Sequence, residues 1–188
     1  MIQTAVADPP DPALLLRPLR DDLADRAFLA RGLSDPRLLE WYHGRDDPLD
    51  EARVAEEYGP LARGESPTRG FLAEEGGAPV GYFQCYPLEA WPETRSLVPD
   101  AAGAWGIDYW LLPGRWHRGL SPRMIESMVR HLFEERGAAR VVSDPRADNP
   151  RSVRALEKAG FRRVRVLPAH ERHEGAMRDC VLMERVRR

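Results

Sequence analysis

The stretch RWHRGLSP (115–122) lies between WGIDYWLL (105–112), which is rich in β-forming residues, and RMIESMVRHLFEER (123–136), whose apolar residues recur at helical spacing. These stretches predict a strand, a basic loop and a long amphipathic helix. A helix N-terminus carries unpaired backbone N–H groups and a partial positive charge, which bind anions. Gly119 would let the backbone approach a phosphate without a Cβ in the way. The junction is therefore a candidate phosphate cradle, although one glycine in a basic loop also occurs in ordinary strand-to-helix turns.

Local signals set the limits of this helix. Ser121 is a natural N-cap, Pro122 suits the first turn, and Gly137 ends the helix. His117 and Arg118 add charge or hydrogen-bond donors to the loop. An anion at this place would meet both side-chain and backbone donors.

The whole chain alternates between helical and strand patterns in the order β-α-α-α-β-β-β-α-β-α-β-β, which predicts the α+β (mixed α/β) class with helices packed on a central sheet. We expect a short leader at 1–13 and a single domain at 14–188, which is long enough for one hydrophobic core. The predicted elements before the junction are a strand at 14–19, helices at 21–33, 35–42 and 50–64 (the last broken near Gly59-Pro60), a hairpin at 70–75 and 78–86, and a loop at 87–104. After it come a strand at 139–143, a helix at 150–159 between Asn149 and Gly160, and strands at 161–167 and 178–186.

Charge and composition argue against several classes of function. The net charge of −2 gives no general attraction to nucleic acid or anionic lipid. No segment approaches the length of a membrane span, and the N-terminus lacks the pattern of a signal peptide, so a cytoplasmic protein is expected. Cys85 and Cys180 lack metal-ligand spacing and are predicted to be small buried hydrophobic residues. HERHEG (170–175) is predicted to be an exposed hairpin, and no metal site is expected.

The stretch DPRADNPRSVRALEKAGF (144–161) follows a predicted strand downstream of the glycine loop. This combination resembles the GNAT acyltransferase superfamily. The resemblance covers most of residues 14–185 and is closest to aminoglycoside 6′-N-acetyltransferases, with the related siderophore and lysine N6-acyltransferases sharing much of it. It is carried further, in order, by EWYHG (40–44), EEYGPL (56–61), APVGYFQCY (78–86), WGIDYWL (105–111) and VVSDPRADN (141–149).

The resemblance implies the GNAT fold, in which a central, mostly antiparallel sheet is splayed between two parallel strands and flanked by helices. It also implies a cleft between those strands for acetyl-CoA or another acyl-CoA as cosubstrate. The pantetheine would pair with the strand GIDYWLL (106–112), and the loop RWHRGLS (115–121) would hold the pyrophosphate. The cofactor-binding residues expected on this basis are Tyr109, Trp110, Leu111, Arg115, His117, Arg118, Gly119, Leu120, Ser121, Asn149 and Arg151.

The chain departs from the family pattern at the loop and in the following helix. The family loop has Arg or Gln three residues before the glycine, where this chain has Trp116, and Ser121 replaces the final small residue. Pro122 removes a backbone N–H that would otherwise be a donor. Many relatives carry a tyrosine placed to protonate the leaving thiolate, and Leu156 occupies that position here. These departures predict a looser cradle and leave no residue to name as general acid.

Asp108 is the candidate catalytic base. An ammonium group must lose a proton before its nitrogen attacks a thioester. A carboxylate in the middle of an apolar, aromatic strand is costly unless it is used or paired. The resemblance adds that the matching aspartate of the aminoglycoside enzymes activates the amine, whereas the siderophore enzymes commonly have a histidine there. The alternative for Asp108 is a solvent-facing position on a half-buried strand.

Aromatic and acidic residues are the candidates for binding the acceptor, because rings stack on sugars or cations. Core packing is the alternative for the aromatic residues, and an Asp-Pro turn is the alternative for Asp144. The expected substrate-binding residues are Trp41, Tyr42, Tyr58 and Asp144 from the resemblance, and Trp91 and Asp100 from the loop 87–104, which would form a lid or an acceptor wall.

The leading functional hypothesis is an acetyl-CoA-dependent N-acetyltransferase that acts on a primary amine of a polycationic small molecule, with the 6′-amine of an aminoglycoside first. One alternative is a lysine or hydroxylysine N6-acyltransferase of siderophore biosynthesis. The altered loop and Leu156 keep a second alternative open, a degenerate GNAT protein that binds a ligand without catalysis. We expect a small-molecule partner, neither nucleic acid nor membrane, and a monomer or a homodimer.

Overall fold

A computed structural model describes residues 14–187 of the chain, so the expected leader at 1–13 lies outside the described residues. Seven strands and six helices alternate along this part of the chain. Their bounds are β1 Leu14–Pro18, α1 Leu23–Gly32, α2 Pro36–Leu39, α3 Glu51–Ala62, β2 Arg69–Glu75, β3 Ala78–Pro87, α4 Pro92–Leu97, β4 Ala104–Leu111, α5 Leu120–Glu135, β5 Arg140–Ser143, α6 Pro150–Lys158, β6 Arg162–His173 and β7 Ala176–Val186.

The strands form one sheet in the order β1-β2-β3-β4-β5-β7-β6. Every neighbouring pair is antiparallel except β4 and β5, which are parallel. The parallel pairing extends only from Ala104 to Gly106 on β4, and β4 then continues to Leu111 without β5 beside it. The two parallel strands therefore separate in the middle of the sheet. This arrangement confirms the predicted mixed class and the splayed, mostly antiparallel sheet.

Helices cover both faces of the sheet. On one face, α5 and α6 bury Met124, Ile125 and Leu156 against Ile107 and Val141. On the other face, α1 and α3 pack around Tyr82 and Trp110 of the central strands. Because side chains alternate along a strand, Gly106, Asp108 and Trp110 share the second face. The predicted burial of both cysteines is confirmed, since Cys85 and Cys180 are buried and free.

Four local predictions are wrong at their boundaries. Helix α3 runs through Gly59-Pro60 instead of breaking there, because Pro60 lies in the last turn and disturbs few backbone hydrogen bonds. Helix α2 ends at Leu39, so the predicted helical residues 40–42 lie in a turn. The predicted loop 87–104 contains α4, which begins with Pro92 and buries none of its residues, so it lacks an apolar face that periodicity could detect.

The fourth correction concerns the start of α5. Its N-cap is Gly119 instead of Ser121, and Ser121 is the second residue of the helix. Gly119 has φ 71°, a left-handed conformation that favours glycine, and a Cβ added to it would meet no atom within 4 Å. Glycine is therefore favoured at this position by backbone conformation and not by lack of space. Gly137, which follows the C-cap residue Arg136, has a positive φ, as expected for a glycine that ends a helix.

Within residues 14–187, no helix has both the length and the apolar character needed to cross a membrane.

Candidate active site

A cleft of about 750 Å³ opens where β4 and β5 separate. One wall is the unpaired part of β4, and another is the loop from Arg115 to Pro122 with the start of α5. The first turns of α6 and the segment 143–146 after β5 form the side opposite β4. Residues 41–43 and the end of β6 complete the cleft. Several separate parts of the chain thus contribute to one concave site of the kind that binds small ligands.

Most of the predicted site residues lie in this cleft. Among the expected cofactor-binding residues, only Arg118 is absent from the lining, and it is exposed on the outer side of the loop. The predicted residues that line the cleft are Trp41, Tyr42, Asp108, Tyr109, Trp110, Leu111, Arg115, His117, Gly119, Leu120, Ser121, Asp144, Asn149 and Arg151.

Three predicted acceptor residues lie outside the cleft lining. Tyr58 is buried in the core and packs edge-on against Tyr82, so for this residue core packing is the correct interpretation. Trp91 is 45% exposed and contacts the cleft only through the ring of Tyr86, at 5.9 Å between centroids. Asp100 is exposed in the turn after α4. No residue of the segment 87–104 lines the cleft in the described structure, and the expectation of a lid or acceptor wall there stays a prediction.

Asp108 stands two residues beyond the last β4–β5 pair, on the half-buried floor of the cleft. Its Oδ2 accepts a hydrogen bond of 2.8 Å from Nε2 of Gln84, the residue directly opposite on β3. The Oε1 of Gln84 in turn accepts a 2.9 Å hydrogen bond from the hydroxyl of Tyr82, which is fully buried. Because an ionised carboxylate can only accept hydrogen bonds, the amide of Gln84 turns Nε2 toward Asp108 and Oε1 toward the hydroxyl of Tyr82. The three residues form a chain that holds the carboxylate in place.

The surroundings raise the pKa of Asp108 to about 7. Burial is the main cause, and the negative charges of Asp144 and Glu171 act in the same direction, while the hydrogen bonds from Gln84 and Tyr86 oppose it. A carboxylate with a pKa near neutrality is a much better proton acceptor than an ordinary aspartate, and a substantial fraction of it is ionised near pH 7. The carboxylate at this position is therefore suited to act as a general base.

Tyr86 is a site residue that the sequence analysis missed. Its ring lies across Gly106, so that a Cβ at Gly106 would come within 2.2 Å of the ring. Gly106 is the last β4 residue paired with β5, and the glycine therefore allows a tyrosine ring to lie at the point where the strands separate. From there the hydroxyl of Tyr86 reaches Asp108. The pairing of Tyr86 with Gly106 across β3 and β4 would have indicated this contact once the hairpin register was known.

Replacement of Gln84 by leucine tests the hydrogen-bond chain. Gln84→Leu removes a donor that favours the charged carboxylate, so we expect a further rise in the pKa of Asp108 and a shift of the acidic limb of the pH–rate profile to higher pH. A shift of about one pH unit corresponds to the loss of one hydrogen bond to a charged group. Gln84→Glu is not a suitable control because it adds a charge. Gln84→Asn, with a shorter amide, should give an intermediate shift, and unchanged profiles for both variants would contradict the assignment.

The acceptor half of the cleft is acidic. Asp144 and Glu171 line it together with Asp108, and Nε2 of His170 lies 3.0 Å from Oδ2 of Asp144. Tyr42 adds a half-buried phenol to the lining. Three carboxylates around one opening favour a ligand with several positive charges. Glu171 and His170 come from the end of β6, and sequence spacing alone gave no reason to place them beside Asp144.

The stretch HERHEG forms the turn of a hairpin between β6 and β7, as predicted, and His170, Arg172 and Gly175 are exposed. His173 is the exception, because only 2% of its surface is exposed. The turn contacts the loop after α2, because both carboxylate oxygens of Glu174 accept hydrogen bonds from the guanidinium of Arg45. This ion pair fixes the end of β6 against residues 43–47, beside the acceptor half of the cleft.

The opposite half of the cleft is basic and suits a phosphate-containing ligand. Arg151, Arg154 and Lys158 lie at helical spacing on α6 and line the cleft, and within the described part of the chain no carboxylate pairs with them. Gly119 begins α5 without a side-chain cap, so the backbone N–H groups of Leu120 and Ser121 are available. Arg115 lines the cleft as well, but its guanidinium forms a 2.7 Å hydrogen bond to Glu75. These donors fit the diphosphate and phosphate groups of an acyl-CoA, and the unpaired edge of β4 fits its amide-bearing arm.

The position that often carries a general acid in relatives is part of the core. Leu156 is fully buried between α6 and the sheet. One helical turn earlier, the hydroxyl of Tyr109 lies 2.9 Å from Oγ of Ser152. Asn149 caps α6 by accepting a hydrogen bond from the backbone N–H of Ser152, as predicted. The first turn of α6 is thus fixed by Asn149 at its N-cap and by Tyr109 of β4 through Ser152.

Comparisons with known proteins place the chain in a family. A sequence model of the acetyltransferase (GNAT) domain matches residues 13–162. Aminoglycoside N(6′)-acetyltransferases type 1 of Klebsiella pneumoniae and Serratia marcescens are each 29% identical over 144 residues, which is 74% of this chain and 70% of theirs. The structure of AAC(6′)-Ib in complex with ribostamycin and coenzyme A superposes with a TM-score of 0.77 at 26% identity, over 93% of this chain and 94% of that one. A spermidine N-acetyltransferase from Vibrio cholerae, at 15% identity and a TM-score of 0.75, shares the fold. The chain belongs to the GNAT family of acetyltransferases.

Proposed function

We propose that this protein transfers the acetyl group of acetyl-CoA to a primary amine of a polycationic small molecule, and that the acceptor is the 6′-amine of an aminoglycoside. The observation that carries the proposal is the position of Asp108. A carboxylate with a pKa of about 7 stands at the point where β4 and β5 separate, in the acidic half of a cleft whose other half is basic. Amine acylation by a thioester needs a base at such a boundary.

The relatives support the choice of acceptor. The similar curated proteins are named aminoglycoside N(6′)-acetyltransferases, and similar solved structures contain ribostamycin, paromomycin or kanamycin with coenzyme A or acetyl-CoA. The acidic lining formed by Asp108, Asp144 and Glu171 suits a polycationic sugar better than the single amine of lysine. The phosphate groups of acetyl-CoA would be bound in the basic half of the cleft by the N-terminus of α5 and by Arg151, Arg154 and Lys158 of α6.

The reaction needs few steps from the protein. Acetyl-CoA supplies the acyl group as an activated thioester. Asp108 accepts a proton from the acceptor ammonium, and the free amine attacks the carbonyl carbon directly. The nitrogen then loses its second proton as the C–S bond breaks, and CoA leaves as a thiolate that takes up a proton from solvent. Gln84 and Tyr86 keep the carboxylate oriented during the transfer, and Asp144 and Glu171 stabilise the remaining positive charges of the acceptor. A covalent enzyme intermediate is not required, because a free amine is already a good nucleophile.

The site also bears on the alternatives. An acyltransferase for long acyl chains needs an apolar channel beyond the thioester, whereas the acceptor half of this cleft is lined by Asp108, Asp144, His170 and Glu171. A non-catalytic binding protein has no need for a base of raised pKa. Because acetyl-CoA is a cytosolic metabolite, the proposal also retains the expectation of a cytoplasmic enzyme, acting as a monomer or a homodimer.

The experiment that tests the proposal is release of the CoA thiol by the purified protein with acetyl-CoA, comparing kanamycin with lysine and N6-hydroxylysine. We expect turnover with kanamycin that exceeds turnover with either amino acid by at least an order of magnitude. Preference for hydroxylysine would favour the siderophore alternative. Binding of acetyl-CoA without thiol release on any acceptor would favour the non-catalytic alternative and contradict the proposal.

A further inference from the structure

Two tryptophans and two arginines form a continuous stack across the wall of the cleft. The guanidinium carbon of Arg151 lies 4.4 Å from the ring centroid of Trp116 and 5.1 Å from that of Trp41. The guanidinium carbon of Arg146 lies 5.2 Å from the ring of Trp41. All three distances are within the range of attractive cation–π contacts. The stack joins the basic loop, the first turn of α6 and the acceptor wall, three segments that are far apart in the sequence.

Both outer members of this stack are fixed by hydrogen bonds. Nε1 of Trp116 donates a 2.9 Å hydrogen bond to the carbonyl oxygen of Leu111, the last residue of β4. Arg146 is 7% exposed, holds Asp148 with two hydrogen bonds of 2.9 and 2.8 Å, and donates a third of 2.9 Å to the carbonyl oxygen of Glu40. Since Glu40 precedes Trp41, the third bond anchors the backbone next to the ring. Arg146 therefore contacts both the ring of Trp41 and the backbone that precedes it.

Arg151 itself is contacted by both tryptophan rings. Within residues 14–187, no hydrogen bond or ion pair uses the N–H groups of its guanidinium, although the group lines the basic half of the cleft. A guanidinium has two flat faces that stack on rings and an edge of five N–H donors in the plane between them. Contact with two rings restricts the guanidinium and leaves its N–H donors free. A planar fork held in this way is prepared for bidentate binding of a phosphate.

We infer that Trp41 is a positioning residue for the cosubstrate: together with Trp116 it orients the guanidinium of Arg151 toward a phosphate of the bound acyl-CoA. The inference rests on the proposed function only in taking acyl-CoA as the ligand of the basic half. Trp41 was expected from the sequence to serve the acceptor, and its ring does line the acceptor side of the cleft.

Calorimetric binding of CoA, without acceptor or turnover, tests the inference through a double-mutant cycle of Trp41→Leu and Arg151→Gln. We expect Arg151→Gln to weaken CoA binding about 30-fold, as loss of a charged hydrogen bond does. Trp41→Leu should weaken it about fivefold although it removes no phosphate ligand. In the Arg151→Gln background, Trp41→Leu should have no further effect, because there is no guanidinium left to orient. Trp91→Leu is the matched control, since Trp91 lies outside the cleft lining, and it should leave the affinity for CoA unchanged.

The outcomes separate the two proposals. The positioning role is overturned if the wild-type protein binds CoA and Trp41→Leu does not weaken that binding. It is also overturned if Trp41→Leu weakens binding equally in the wild-type and the Arg151→Gln background. Both results leave the proposed function intact. Wild-type protein that does not bind CoA overturns both. Thermal unfolding of each variant accompanies the titrations, and a variant that is unfolded at the titration temperature is replaced by Trp41→Phe, whose smaller ring should give a smaller loss in the same cycle.

Discussion

Asp108→Asn is expected to lower kcat/KM for acetylation of an aminoglycoside by about 10³-fold, the middle of the range for removal of a general base. Asparagine keeps the shape of the side chain, and its carbonyl oxygen can accept the hydrogen bond from Gln84. The decrease in kcat/KM therefore reports lost proton transfer and not a change in side-chain position. Initial rates of thiol release with acetyl-CoA and kanamycin at pH 8 measure the effect. Affinity for CoA, measured separately, should stay within a factor of about two because the variant retains every phosphate-binding group.

The same substitution is expected to stabilise the fold at pH 8. The pKa of Asp108 is raised to about 7 in the folded protein from its ordinary value of 3.8, so the folded state holds this proton more tightly than the unfolded state. The contribution of Asp108 to stability is therefore largest below pH 4 and is lost as the pH rises to about 7. Asparagine cannot ionise and escapes that loss. A higher thermal midpoint together with lost activity identifies a residue selected for function, whereas a lower midpoint would indicate a structural aspartate.

Asp46→Asn serves as the matched control for this experiment. Asp46 is exposed, and within the described residues it takes part in no hydrogen bond or ion pair and does not line the cleft. We expect its activity and thermal midpoint to equal those of the wild type. An Asp108→Asn variant that retains more than a tenth of the wild-type kcat/KM would contradict the role of Asp108 as base.

The pH dependence of the reaction is the second large effect. Only the ionised form of Asp108 accepts a proton, so kcat/KM should rise about tenfold per pH unit below the pKa of about 7 and level off above pH 8. The rate at pH 5 should therefore be about 100-fold below the plateau. Thiol release followed from pH 5 to pH 9 in buffers of constant ionic strength measures the profile.

The acceptor amines also ionise, and the Gln84→Leu variant separates the two contributions. Substitution in the protein cannot change the pKa of the free acceptor. A profile whose acidic limb moves to higher pH in Gln84→Leu therefore reports Asp108, which Gln84 touches. An identical limb in wild type and variant would assign the ionisation to the acceptor, and the proposed pKa of the base would then be wrong.

The sequence predicted those parts of the fold that local signals determine. The order of elements, the strand–loop–helix junction at 105–136 and the cap of α6 by Asn149 follow from periodicity, glycines and capping residues close together in the chain. Helix α4 was not predicted because it has no buried face. The start of α5 was placed too late because its N-cap is Gly119 in a left-handed conformation and not Ser121.

The candidate site was predictable only where one strand or loop carries it. Asp108 stands out within its own strand, and the loop 115–122 stands out by composition. The contacts of Asp108 with Gln84 and Tyr86 depend on the β3–β4 register, and the stack of Trp41 on Arg151 depends on the packing of three distant segments. Tyr58 shows the opposite case, since its spacing fits either an acceptor wall or a core, and tertiary packing decides for the core.

The most direct test of the account is a comparison of two acceptors in the thiol-release assay at pH 8, with acetyl-CoA at saturation. Kanamycin carries an amine at the 6′ position, and paromomycin carries a hydroxyl there on an otherwise similar polycationic framework. The account predicts rapid thiol release with kanamycin and none above background with paromomycin, because Asp108 must accept a proton from a 6′-ammonium. Equal rates with the two acceptors, or no release with kanamycin, would contradict it.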